Sequence, residues 1–456
     1  MTTHARWRAG AIKLAAVTAL SLAVTAGLAG CAGGTPSSAA SATPAVSAAD
    51  IAAALQKPTT ITIWTWAKTL TGIVSAFEAK YPKITVNVVN VGSGTAHYTK
   101  FENAIKAGTG APDLATVEYS VLPQFAVERS LVDLKKFGYE SLSAVYTPSV
   151  WNSVNVNGGL YELPHNAGPM ALFYNKTVFD KFGINVPTTW EEYAADAAKI
   201  HAADPTVYLA ADAGDVGFTN SMMWAAGGMS FQTSGTSDVT INMHNNAVKK
   251  FTDFYNPLIQ NKLLAPVPGF SSEWYQGLAN GKIASLVTGA WMVGSLESGV
   301  PTGAGDWRAA PLPTYSAGDK ASAVNGGGGY AMLKQSSTQH QLVSAGFLKF
   351  MDDGPGIALS IQAGQFPSTV ADLTSPKFLN AKNNYFGGQE VNKVFAQSAK
   401  NVLPGWQYLP YQSYANSIFN DYVGKAYTGK GSLSDGLNAW GDALKTYGNQ
   451  QGFTVK

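Results

Sequence analysis

Residues 60–91 read TITIWTWAKTLTGIVSAFEAKYPKITVNVVNV, and three periodicities succeed one another within them. TITIWTW (60–66) is β-branched and aromatic, the composition of a buried strand. TLTGIVSAFEAKYP (69–82) sets Val74, Phe77 and Tyr81 at helical spacing, and Pro82 closes it. KITVNVVNV (83–91) alternates Ile84, Val86 and Val88 as a second strand. YTKFENAIKAGTGAPDLATVEY (98–119) adds a helix ending at Gly108, a Gly/Pro turn and a third strand. This rhythm predicts an open α/β sheet.

Toward the C-terminus the pattern resumes at MALFYNKTVFDKFG (170–183) and VPTTWEEYAADAAKI (186–200). There Thr189 and Glu192 fit a capping box, with Pro187 just ahead of the helix start. Beyond about residue 240 helices dominate. A short strand, IASLVTG (283–289), precedes AWMVGSL (290–296), and VNGGGGYAMLK (324–334) reads as a glycine-rich crossing followed by a strand. QHQLVSAGFLKFMDD (339–353) is an amphipathic helix with Leu342, Phe347 and Phe350 on one face.

Toward the N-terminus, residues 1–30 carry Arg6, Arg8 and Lys13 and no acid, then an apolar run ending in small residues. This is the layout of an export signal, and the run is shorter than the ~20 residues that cross a bilayer. Leu28-Ala29-Gly30 before Cys31, the sole cysteine, resembles the lipobox of bacterial lipoproteins. It implies that Cys31 is acylated and tethers the mature chain to a membrane. Acylation would leave no thiol for a disulfide or a Cys-based metal site. Residues 31–58, rich in Ala, Ser, Gly and Pro, read as a flexible leash.

Removing residues 1–30 takes three basic residues and no acid from 31 Lys+Arg and 29 Asp+Glu, leaving 28 against 29. A near-neutral chain gives no sign of a nucleic-acid partner. Charged residues are only 13% of the total, which suits a cleft for neutral polar ligands. Roughly 400 residues after the leash exceed one ordinary core, so two lobes are expected.

FEAKYPKITVNV (77–88), AIKAGTGAPDLATVEY (104–119), the long stretch 158–200, ANGKIASLVTGAWMVGSL (279–296) and WRAAPLPTY (307–315) occur in one order and spacing. From about Thr60 to the C-terminus the chain resembles the extracellular solute-binding proteins of family 1, the sugar-binding components of ABC importers. The resemblance implies a type II periplasmic-binding-protein fold, in which two discontinuous α/β lobes close over a sugar. The N-terminal lobe would comprise 59–166 plus 328–367, and the C-terminal lobe 167–327 plus 368–456. Crossings would lie near Leu163–Gly168, Asn325–Tyr330 and Gln365–Ser368. It further implies an ABC permease as partner, a monomeric receptor, no cofactor and no catalysis.

Sugar recognition needs aromatic faces for the C–H faces of pyranose rings, and carboxylates or amides for hydroxyls. Trp291 in TGAWM matches the family's platform tryptophan. Glu118 and Tyr119 end a strand, and strand ends in open α/β sheets face the ligand crevice. Trp64 and Trp66 end the first strand on one face, with Trp66 preferred as a contact. His165 and Asn166 fall at the first crossing and Gly327 and Gly328 at the second, where bare amides could approach a ligand. Trp224, Trp274 and Trp406 are candidates for further subsites.

Two alternatives stay open at this level. A glycoside hydrolase needs two carboxylates at a set separation, and no stretch juxtaposes such a pair. A receptor for metals or phosphate would show clustered His and acids, or a helix start with Arg or Lys. The histidines 97, 165, 201, 244 and 340 show no metal-ligand spacing.

Overall fold

The computed structural model describes residues 46–456. The export signal, Cys31 and the first part of the leash lie outside them. Among the described residues no helix is long and apolar enough to cross a membrane.

The leash is shorter than residues 31–58. Ala48–Ala54 form a helix whose capping box joins the side chains of Ser47 and Asp50 to each other's backbone N–H groups. Ile51 and Leu55 turn toward Gly346 on the helix Thr338–Asp352, where a missing Cβ leaves room for them. Ala54 and Leu55 are buried. Composition suggested a linker, yet three apolar side chains on one face found a partner that local sequence could not reveal.

One sheet runs through the molecule. Its strands are β1 (Thr59–Trp64), β2 (Ile84–Val89), β3 (Leu114–Glu118), β4 (Pro164–Asn175), β5 (Ser285–Gly289), β6 (Trp307–Ala310) and β7 (Val324–Met332). The order is β5-β4-β7-β3-β1-β2, with β6 also paired to β4. β1, β2 and β3 are parallel, joined by the helices Leu70–Lys80 and Thr95–Ala107, the βαβ arrangement that the opening stretch foretold. In β2 the buried alternation stops after Val86, and Val88 is exposed.

β4 and β7 are longer because each serves both ends of the sheet. Residues 164–169 of β4 pair with β7, and residues 170–175 pair with β5 and β6. β7 in turn sets Gly328 opposite Glu118 and Met332 opposite Leu114 in β3. The register slips between Val324 and Gly327, a bulge beside the glycines. Helices cover both ends: Thr338–Asp352 packs on β1, while Val216–Ala225, Asn246–Gln260 and Leu433–Gln450 share a second apolar core with Met170 and Leu172 of β4. The capping box of Thr189 and Glu192 closes the start of Trp190–Ala203 as its sequence indicated.

Candidate functional site

Three chain segments meet at Asn166. Its Nδ2 donates to Gln365 Oε1 (2.8 Å), its Oδ1 accepts from the Gly328 N–H (3.1 Å), and its carbonyl accepts from the Tyr119 hydroxyl (2.8 Å). Ala167 N–H adds a bond to the Phe366 carbonyl. One side-chain donor and one side-chain acceptor are thus turned on the crossing. Asn166 therefore knots the crossing together, and it stays partly exposed.

Gly327 and Gly328 belong to the same knot. A Cβ on Gly328 would lie 2.5 Å from the Val117 carbonyl oxygen, and Gly327 has φ +94° with its carbonyl bonded to Tyr119 N–H. These glycines let strands press together, and the Gly328 amide is buried and bonded to Asn166. His165 differs from expectation as well. Its Nδ1 lies 2.7 Å from Asp352 Oδ1, with both side chains almost wholly buried, at a crevice of about 10 Å³. Burial leaves a lone imidazole costly, and the Asp352 carboxylate satisfies it.

Of the remaining candidates, Tyr119, Trp224, Trp274, Trp291 and Trp406 divide between two cavities. The larger, about 790 Å³, is walled by Tyr119, Trp224, Trp406 and Tyr408. Trp224 and Trp406 stack on each other, centroids 5.6 Å apart and planes 8° apart, and the Trp224 indole N–H donates to the Leu403 carbonyl. The smaller, about 460 Å³, is walled by Trp291, Trp274 and Phe270, with Asp212, Asp215, Asn325 and Asn420 among its polar groups. No cationic side chain lines it.

Trp291 follows β5, and glycine backbone holds it flat. Cβ atoms on Gly289 and Gly326 would stand 2.5 and 2.9 Å from its Nε1, which donates to the Asn325 carbonyl at 2.7 Å. The indole is half-buried, so one part is anchored and the rest faces the cavity. Asn325 is itself fixed: its Nδ2 donates to Ser221 Oγ and its Oδ1 accepts from Thr288 Oγ1. Tyr119 lies against Gly327, one residue from the glycine that meets Trp291, so the two cavities flank one glycine run.

Glu118 and Trp66 form a third group. The Tyr98 hydroxyl donates to Glu118 Oε2 (3.0 Å), and Trp66 packs edge-on against His97 and Tyr98. Burial raises the Glu118 carboxyl above the ordinary range, the Tyr98 hydrogen bond opposes this, and the Asp215 charge from the far end of the sheet adds to it. Asp212 is also raised, mainly by burial, although hydroxyls of Tyr427 (2.6 Å) and Tyr255 (2.9 Å) donate to it.

Behind this group, fully buried His97 donates from Nε2 to the Thr116 carbonyl (3.0 Å), and burial lowers its pKa to about 4. An unfolded histidine titrates near ~6.5, so between those values only the unfolded chain holds the proton. Stability is therefore lost as pH falls from about 6.5 toward 4. Wild type should lose about 3 kcal/mol more than His97→Gln over that interval, read by denaturant unfolding at pH 7 and pH 4. Equal losses would show that His97 takes up its proton while folded.

Sequence reasoning missed Phe270, Asp212, Asp215 and Tyr408. Phe270 and Asp215 carried weak signals, an aromatic in the turn PVPGFS and an Asp at a helix start. The others lay in stretches without any motif. Among the described residues no group of three His, Cys, Asp or Glu is placed to hold a metal. The half-exposed rings of Trp291 and Phe270, beside amide and carboxylate groups, can bind a ligand that is apolar on its faces and rich in hydroxyls at its edges.

A model of bacterial extracellular solute-binding proteins matches residues 64–351. The ABC transporter associated binding protein of B. animalis subsp. lactis Bl-04, solved with β-1,6-galactobiose, is 43% identical. That match covers 87% of this chain and 99% of the other, with a TM-score of 0.82. The galacto-N-biose-/lacto-N-biose I-binding protein of Bifidobacterium longum is 25% identical over the same shares, TM-score 0.73. An arabinooligosaccharide-binding protein of Bacillus subtilis is 27% identical, covering 72% of this chain and 77% of its own. A lactose-binding protein of Rhizobium radiobacter is 24% identical, covering 77% and 86%.

Proposed function

This chain belongs to the bacterial extracellular solute-binding proteins, receptors and not enzymes with a two-lobed type II fold, and from that premise we propose that it captures a short neutral oligosaccharide for an ABC permease. The single observation that carries the reading is the Trp291 indole, pinned on glycine backbone and facing a cavity of about 460 Å³ that holds two Asp, two Asn and no cation. An anionic sugar would meet Asp212 and Asp215 unopposed, whereas hydroxyls find acceptors. The similarity to the galactobiose- and lactose-binding relatives favours a galactose-containing disaccharide.

The lobes are the two ends of the sheet, joined at the crossings gathered by Asn166, with residues 59–166 plus 328–367 on one side and 167–327 plus 368–456 on the other. Sugar touching both sides shifts the population to a closed form that the permease reads. Acylated Cys31 keeps the monomeric receptor beside that permease, outside the cell, with no cofactor. Cys31→Ala should release the protein into the medium, and retention at the membrane would dismiss the lipid tether.

Isothermal titration with β-1,6-galactobiose, lactose, maltose and arabinooligosaccharides tests the ligand. Saturable binding of at least one galactoside without turnover is expected. Absence of binding across the whole set, or hydrolysis of any member, would overturn the reading.

A further inference from the structure

Phe270 is 52% exposed, more than any other large apolar side chain among the described residues. It is also the only apolar one among the four non-glycine residues there with positive φ, at +64°; the others are Arg129, Asn157 and Lys262. The residue is third in a tight turn, Pro268-Gly269-Phe270-Ser271, closed by Ser271 N–H to the Pro268 carbonyl (3.4 Å). A left-handed third position favours glycine or asparagine, yet the chain puts its glycine one place earlier and a phenyl here. Its contact with the buried Trp274 is the one link to the core of a strained and half-exposed ring, so folding alone accounts poorly for it.

What surrounds the ring accounts for it better. Phe270 stands 5.2 Å from Trp274 and 5.8 Å from Trp291, at tilts of 41° and 32°, on the wall of the 460 Å³ cavity. Holding a sugar ring between two aromatic faces needs two van der Waals contacts, about 7–8 Å in total. At 5.8 Å nothing fits between Phe270 and Trp291, and the shallow tilt makes them one stepped surface. Ser271 locks that step: its Oγ donates to the Pro268 carbonyl (2.8 Å) and accepts from Trp274 N–H (3.2 Å).

Building on the sugar-receptor reading, we infer that Phe270 is a second carbohydrate platform, taking the sugar ring adjacent to the one on Trp291. The turn holds the phenyl ready before ligand arrives, and the site accepts the strain in exchange for a preformed two-ring surface.

Calorimetry with β-1,6-galactobiose and lactose on the full chain, together with the Tm of the unliganded protein, tests this. Phe270→Ala should weaken the better disaccharide about tenfold, whereas Phe270→Tyr, which keeps the ring face, should stay within about threefold of wild type. Phe270→Gly should bind as weakly as the alanine variant while its unliganded Tm is unchanged or raised, because glycine accepts positive φ freely. Alanine binding as well as wild type or better, tyrosine as weak as alanine, or a lower Tm for glycine would each overturn the platform. Wild type that binds neither disaccharide would bring down the receptor reading, and this inference with it. Wild-type binding with an unaltered alanine variant would bring down this inference alone.

Discussion

Trp291→Ala is expected to weaken disaccharide binding about 100-fold, a loss of ~3 kcal/mol, while the unliganded protein keeps its Tm. The size follows from position. The indole forms the cavity wall together with Phe270, 5.8 Å away, and it is half-buried, so its removal opens the cavity without emptying a core. Its one hydrogen bond, to the Asn325 carbonyl, lies at the cavity edge, where water can replace the lost donor. Titration calorimetry reads the affinity and calorimetric unfolding the Tm. Undiminished affinity would take Trp291 out of the site, and a steep fall in Tm would make it a core residue.

Gly168→Ala should act in the opposite proportion, with stability falling first and binding with it. A Cβ there would sit 2.1 Å from the Asn325 carbonyl oxygen and 3.2 Å from that of Gly326. Both obstacles are backbone, so no side chain can swing aside, and β4 and β7 must part where Pro169 faces Val324 and Ala167 faces Gly327. A cost of about 3 kcal/mol or more is expected. The displaced Asn325 carbonyl is also the acceptor for Trp291, so sugar affinity should drop as well. Denaturant midpoints and calorimetry on the same preparation check both. Wild-type stability in this variant would show that the strands have slack at the crossing. The pair of variants separates platform from frame: one loses ligand with the fold intact, the other loses both.

Elements were legible where a local pattern repeats. The apolar spacing of residues 69–82 gave the helix Leu70–Lys80, and Thr189 with Glu192 gave a cap, because periodic burial and capping involve neighbours within a turn or two. The family was legible in the ordered stretches from Thr60 onward that resemble it, and the lack of basic excess agreed with it. Errors came where side chains acquire partners from distant chain. His165 met Asp352 187 positions away, which turned a candidate contact into a buried pair. Asn166 met Gln365 and Gly328, and the leash residues Ile51 and Leu55 met Gly346.

By itself, then, the amino-acid order determined the alternation of strands and helices, the helix caps and the glycine run, since each depends on dihedral preference and on the period at which apolar groups recur. Tertiary structure alone decided which polar and aromatic groups share a cavity. It placed Glu118 within reach of the Asp215 charge, seated Trp291 on Gly289 and Gly326, and stood Phe270 beside it. The physical reason is that a binding site is a set of contacts between residues remote in the chain. Burial, charge and close approach act through space, and no local period records which remote residues they will bring together.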